Sequence, residues 1–110
     1  EKRPMMGQIA QEGSDHLVIT SDNPRSEDPL QIMQMIFAGV RQVTNRKEDS
    51  KTVEMIADRA AAIMSAVRQA SPQDIVLVAG KGHETTQEMN GKRFDFSDQA
   101  HLRLASGGAV

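Results

Sequence analysis

Cysteine is absent from this chain. That excludes disulfides and thiolate-bound metals, and it suits a reducing compartment. Tryptophan and tyrosine are absent too, and phenylalanine occurs only three times, so there is little on which nucleic-acid bases could stack. Neither sign of charge dominates. Thirteen Lys and Arg stand against fifteen Asp and Glu, a net charge of −2, which removes the electrostatic reason to expect a nucleic acid or an anionic membrane as partner. No apolar run approaches the ~18 residues of a membrane span, and no signal peptide is visible. Internal repeats and low-complexity segments are missing as well. What remains is 110 residues, the size of one domain able to bury about 65% of its unfolded surface. The chain opens on Glu1-Lys2-Arg3-Pro4 rather than on methionine, and the expectation is an excised piece of a longer protein.

Two apolar runs organise the rest. Leu17-Val18-Ile19 is the kind of continuous β-branched stretch that becomes a strand buried on both faces. Ile75-Val76-Leu77-Val78-Ala79 reads the same way. Pro24 lacks an N–H, so the first strand must end before it. Asp28 followed by Pro29 then starts a helix, in which Met33, Ile36, Phe37 and Val40 hold the i, i+3, i+4, i+7 spacing.

A short helix from Pro4 to near Gly13 places Met5, Met6, Ile9 and Ala10 on one side. Residues 41–51 are polar, without apolar periodicity, and read as a solvated segment. A short strand follows over Val53-Glu54-Met55-Ile56. Asp58 caps a helix carrying Ala60, Ile63, Met64 and Val67 on one face, closed by Pro72. Asn90-Gly91 between residues 86–89 and 92–95 predicts a hairpin. Ser97 or Asp98 then caps a last helix, and residues 106–110 read as a frayed tail. The alternation implies a small, mostly parallel α/β sheet with helices on both faces and a C-terminal hairpin. Such a sheet normally begins with a strand. This chain begins with a helix, so the first strand and its loop are expected upstream of Glu1.

Both apolar strands run into loops rich in recognition residues, and in a parallel sheet the carboxyl-end loops share one edge. Asp22, Asn23 and Arg25 would face Gly80, His83 and Glu84 there. Glu84 could accept from an ammonium while Asn23 and Arg25 donate to a carboxylate, and the glycines let backbone approach closely. A zwitterionic amino acid needs that pairing. The alternative for the first loop is an ordinary Asx-Pro turn with an exposed arginine. Gly80-Lys81-Gly82 fails as a phosphate-cradling loop, since its spacing is wrong and no Ser or Thr follows the lysine. His83-Glu84 lacks the second histidine of a zinc-protease helix. His16 and His101 stand alone, and the seven methionines fit gap-filling in helix cores. Nothing supports nucleophilic catalysis; the residues suit holding a ligand rather than breaking a bond.

Taken together, Asp22-Asn23-Pro24-Arg25 followed by Ser26-Glu27-Asp28-Pro29, and the loop Gly80-Lys81-Gly82-His83-Glu84, resemble motifs of the C-terminal domain of the Mur ligases that add meso-diaminopimelate to UDP-N-acetylmuramoyl-L-alanyl-D-glutamate. The resemblance extends through Lys2–Gly7, Asp58-Arg59-Ala60 and Phe96-Ser97-Asp98, leaving out residues 41–52 and the tail. It implies a small Rossmann-like domain, residues 1–110, that closes over the incoming amino acid. Asn23, Arg25, Gly80 (through its backbone) and Glu84 match the residues that bind diaminopimelate, with Asp22 supporting the loop. Arg25 matches the arginine associated with the distal carboxylate that lysine lacks, and a fork placed for that group would discriminate by leaving unpaired charge.

The same resemblance implies a cytoplasmic, ATP- and Mg2+-dependent ligase of peptidoglycan synthesis, monomeric at full length. ATP would phosphorylate the D-glutamyl carboxylate, and the diaminopimelate amine would attack the acyl phosphate. The P-loop, magnesium ligands, carbamylated lysine and sugar-nucleotide site of that family belong to other domains, and no catalytic or metal-binding residue is assigned in this chain. Its first strand, with a Gly-Gly-Asp-Arg-Asp loop, also has no counterpart here. The chain alone would then be inactive, its part being to position the amino acid. A free-standing α/β module that senses a small anion or amino acid is the other reading.

Overall fold

The computed structural model describes residues 2–22, 26–40, 52–81, 84–89 and 92–107. Helix α1 (Lys2–Glu12) leads to strand β1 (His16–Ile19), helix α2 (Pro29–Phe37), strand β2 (Thr52–Met55) and helix α3 (Arg59–Gln69). Strands β3 (Thr86–Met89) and β4 (Lys92–Asp95) precede helix α4 (Asp98–Ala105). β1 and β2 are parallel, with His16 opposite Thr52 and Ile19 opposite Met55. The ladder is extended at both ends, from the Thr52 amide to the Asp15 carbonyl and from the Ile56 amide to the Ile19 carbonyl. β3 and β4 are antiparallel, with Thr86 opposite Asp95. The fold is therefore the expected mixed α/β one, a parallel pair with helices and a C-terminal hairpin. The polar segment 41–51, the Asn90-Gly91 turn and residues 108–110 of the tail lie outside the described residues.

Local chemistry explains the helix starts. The Asp28 carboxylate accepts from the Leu30 amide at 3.0 Å with Pro29 as the first helical residue, a cap worth about 1 kcal/mol. Asp58 accepts from the amides of Ala60 and Ala61. Ser97, not Asp98, caps α4, accepting from the Ala100 amide at 3.3 Å. That choice leaves the Asp98 carboxylate available for another partner.

α1 packs on α2, α3 packs on α4, and β1 touches α1, α2 and α3. The buried apolar residues are Ile19, Met33, Ala62, Ile63 and Phe96. Of the α2 stripe, Met33 is the buried member and Phe37 is exposed. On α3, Ile63 is buried while Ala60, Met64 and Val67 are half-buried.

Two expectations are corrected. Met5, Met6 and Ile9 do not form the packing face of α1: each is more than half exposed, and Gly7 is the buried residue. α1 meets α2 through glycine, because a Cβ on Gly7 would overlap the Ile36 carbonyl and one on Gly39 would overlap the Pro4 carbonyl. Backbones that close leave no room for larger side chains between them.

The second correction concerns residues 75–79, which are not a strand. Val76 and Val78 are half-buried, but Ile75 is 94% and Leu77 85% exposed. The segment alternates as a strand would. What it lacks, among the described residues, is a ladder neighbour, and an extended segment becomes a strand only by pairing.

Candidate functional site

The loop after β1 and the turn after residue 79 meet at one place. Ser21 is buried, and its hydroxyl donates to the Ala57 carbonyl at 2.6 Å. Gln87, buried on β3, donates through its amide to the Asp22 carbonyl at 2.7 Å. Gly80 has φ +114°, a conformation that side chains rarely adopt, and a Cβ there would stand 3.2 Å from Asp22 Oδ2. So Asp22 and Gly80, predicted from separate motifs, are neighbours. The other oxygen of Asp22, Oδ1, is buried and has no hydrogen-bond partner among the described residues.

Glu84 is placed differently. Its side chain is more than half exposed, its carboxylate lies 3.9 Å from the Lys81 ammonium, and its amide donates to the Lys81 carbonyl at 3.0 Å. Asn23, Arg25 and His83 lie outside the described residues. A cleft of about 180 Å³ opens beside Asp22, between Arg3, Thr20 and the apolar side chains of Met6, Ile32 and Ile36; neither Gly80 nor Glu84 lines it. At its edge, Arg3 donates to both oxygens of Glu27, at 3.0 and 2.9 Å, and these bonds hold the Glu27 carboxyl below the usual carboxylate range.

Sequence reasoning missed the buried polar residues behind these loops. Arg59 is 3% exposed. Its Nε and Nη2 donate to the two oxygens of Asp98, both at 2.7 Å, and Nη1 and Nη2 donate at 3.1 Å to the carbonyls of Ser21 and Ala79. One signal did exist. Arg59 is the first residue of its helix, the end where the helix dipole disfavours a cation, so a nearby carboxylate was called for. Lys81 is the other missed residue. Its side chain is fully buried, its ammonium donates to the Thr86 carbonyl and lies 5.9 Å from the Phe96 ring centroid, and Phe96 stacks on His101 at 4.2 Å. The lysine of the glycine-lysine-glycine stretch thus points into the protein and braces the hairpin.

Residues 1–82 match the family described as Mur ligase, glutamate ligase domain. The chain belongs to that family. Within it, the Mur ligase domain described here is 54% identical over 104 residues to the UDP-N-acetylmuramoyl-L-alanyl-D-glutamate--2,6-diaminopimelate ligase of Ralstonia nicotianae, a match covering 94% of this chain and 19% of the relative. The ligase of the same name from Solibacter usitatus is 51% identical over 102 residues, covering 93% and 19%. A solved structure of a UDP-N-acetylmuramoyl-L-alanyl-D-glutamate--2,6-diaminopimelate ligase superposes with a TM-score of 0.81 at 40% identity, covering 99% of this chain and 22% of that one. This Mur ligase domain therefore spans about a fifth of the relatives it matches.

Among its described residues, no helix is long and apolar enough to cross a membrane. Nor, among those residues, does any group of three or more His, Asp or Glu stand where it could hold a metal ion. Lys81 is turned inward, so the glycine-lysine-glycine stretch does not offer its ammonium to a phosphate.

Proposed function

We propose that this chain is the amino-acid-binding domain of a cytoplasmic ATP-dependent ligase that joins meso-diaminopimelate to UDP-N-acetylmuramoyl-L-alanyl-D-glutamate. The observation carrying the reading is the likeness, over 94% of the chain, to relatives bearing that activity in their name. The adjacency of Asp22 and Gly80 is what such a domain would need, because it brings both amino-acid loops to one point. Arg25 and Asn23 take the distal carboxylate, Glu84 takes the ammonium beside it, the Gly80 backbone closes on the same end, and Asp22 supports the first loop.

The contribution of the domain is orientation. Anchoring the far end of the amino acid sets its near amine against the activated carboxyl, and such positioning is worth about 7–11 kcal/mol of barrier in favourable cases. ATP and magnesium are held by other parts of the ligase, which is monomeric. The test is ligation of meso-diaminopimelate and of lysine by the complete protein supplied with ATP and the UDP-linked dipeptide. Strong preference for diaminopimelate is expected; equal use of lysine, or no ligation, overturns the reading.

The same proposal includes a further strand of this domain, preceding α1 in sequence and lying beside residues 75–79. The exposure of Ile75 and Leu77 supports it, since an extended apolar segment with no ladder neighbour among the described residues leaves a strand edge unpaired. A version extended upstream by that strand should melt at a higher temperature and more cooperatively than the 110-residue chain. Equal melting counts against the added strand.

A further inference from the structure

The guanidinium of Arg59 joins four pieces of chain: its own helix α3, the loop after β1, the end of residues 75–79, and the start of α4. Both carbonyls it holds belong to residues immediately before site residues, Ser21 before Asp22 and Ala79 before Gly80. Stability alone is a poor reason for such a group. A buried ion pair forfeits the hydration of two charges, and apolar residues of equal volume are often as stabilising. What the pair supplies is direction. Five N–H groups in one rigid plane, neutralised on one side by a bidentate carboxylate, fix two carbonyls relative to each other. The spacing matters because Asp22 and Gly80 are already in close approach, with 3.2 Å left between Asp22 Oδ2 and any Cβ on Gly80.

We propose that Arg59, held by Asp98, is a positioning residue that sets the separation of the two amino-acid-binding loops and through it the affinity and selectivity for diaminopimelate. The proposal rests on the functional reading above. Lysine at position 59 would keep the charge, but a single ammonium cannot hold the carboxylate and both carbonyls in one plane. Asparagine at position 98 would keep the shape of its carboxylate and lose the charge that neutralises the arginine.

The experiment is steady-state ligation by the complete ligase, wild type, Arg59→Lys and Asp98→Asn, with KM measured for each substrate. Losing charge-assisted bonds at the loops should raise KM for meso-diaminopimelate by about tenfold or more in Arg59→Lys. KM for ATP and for the UDP-linked dipeptide should stay within about twofold, as uniform binding to other domains is untouched. The preference for diaminopimelate over lysine should fall in both variants.

A purely structural role would lower the active fraction, seen as reduced apparent kcat and melting temperature with every KM unchanged, and that result overturns the proposal. If Arg59→Lys does not fold, Asp98→Asn decides on the same criteria. A wild type that ligates diaminopimelate while both variants keep its KM refutes the positioning role alone. A wild type that does not ligate it refutes the functional reading and this proposal with it.

Discussion

β1 and residues 75–79 carry the same sequence signature and meet different fates. Both contain an apolar, β-branched run and are followed by a polar loop bearing proposed site residues. β1 has β2 as its parallel neighbour and ends in the buried Ile19, 4% exposed. Residues 75–79 have no such neighbour among the described residues and leave Leu77 at 85% exposure. The difference lies outside both segments, in what stands beside them. Even so, the ends of the two segments meet at one side chain. Arg59 takes the carbonyl of Ser21 from one and of Ala79 from the other, so the site edge is tied by a side chain where the ladder does not reach.

That contrast can be broken most directly by truncating one residue on each segment. Ile19→Ala should destabilise the chain by about 2–5 kcal/mol, as large-to-small changes in a packed core do. Leu77→Ala should stay within about 0.5 kcal/mol, as at exposed sites. Urea denaturation of both variants is the check, and comparable losses would mean that residues 75–79 are packed as β1 is. In a version extended upstream by the proposed strand, Leu77→Ala should become costly.

The two loops offer the next contrast, in substrate handling. Arg25→Ala should cost about 3 kcal/mol against diaminopimelate, roughly two decades in kcat/KM, from two lost charge-assisted bonds. Lysine, which has no distal carboxylate, should lose much less. Parallel kinetics of the complete ligase with both amino acids test this, and an equal fall for both would assign Arg25 to loop support. On the second loop, Glu84→Gln retains an acceptor oxygen without its charge, so the affinity loss should be smaller, about ten- to hundredfold at most. An unchanged KM for diaminopimelate would remove Glu84 from the site and leave it as the surface partner of Lys81.

The smallest effect is expected at the rim of the cleft. Arg3 lowers the pKa of Glu27, so the folded state binds this proton less readily than the unfolded chain. Its stabilisation is therefore present at neutral pH and is lost as pH falls through the ordinary glutamate range and below. Because Glu27 is exposed, the contribution is slight. Thermal melts of wild type and Glu27→Gln should differ a little at pH 7 and converge in acid; a gap that persists in acid would place the effect elsewhere.

Much of this was legible because it is written in neighbouring residues. Asp28-Pro29, Asp58 and Ser97 begin helices through bonds reaching two or three residues along the chain. Asn90-Gly91 marked a hairpin whose strands form at the expected positions. The motif pair pointed to the Mur ligase family, and Asp22 and Gly80 stand together even though residues 75–79 form no strand beside β1. The hidden part was long-range. Ser21, Arg59, Lys81, Gln87 and Asp98 are buried, and hydropathy assigns every one of them to the surface.

Caps, periodicity and motifs act over a few residues, so the starts of α2 and α3, the segments able to be strands, the hairpin and the family could be read along the chain. Packing between distant segments settled the rest. The face of α1 that packs follows from Gly7 admitting the α2 backbone. Residues 75–79 form no ladder among the described residues, because ladder bonds need a second strand alongside. The loop edge is held by the Arg59–Asp98 pair across 39 residues of sequence, a bond set by where α3 and α4 come to lie and by nothing in either segment alone.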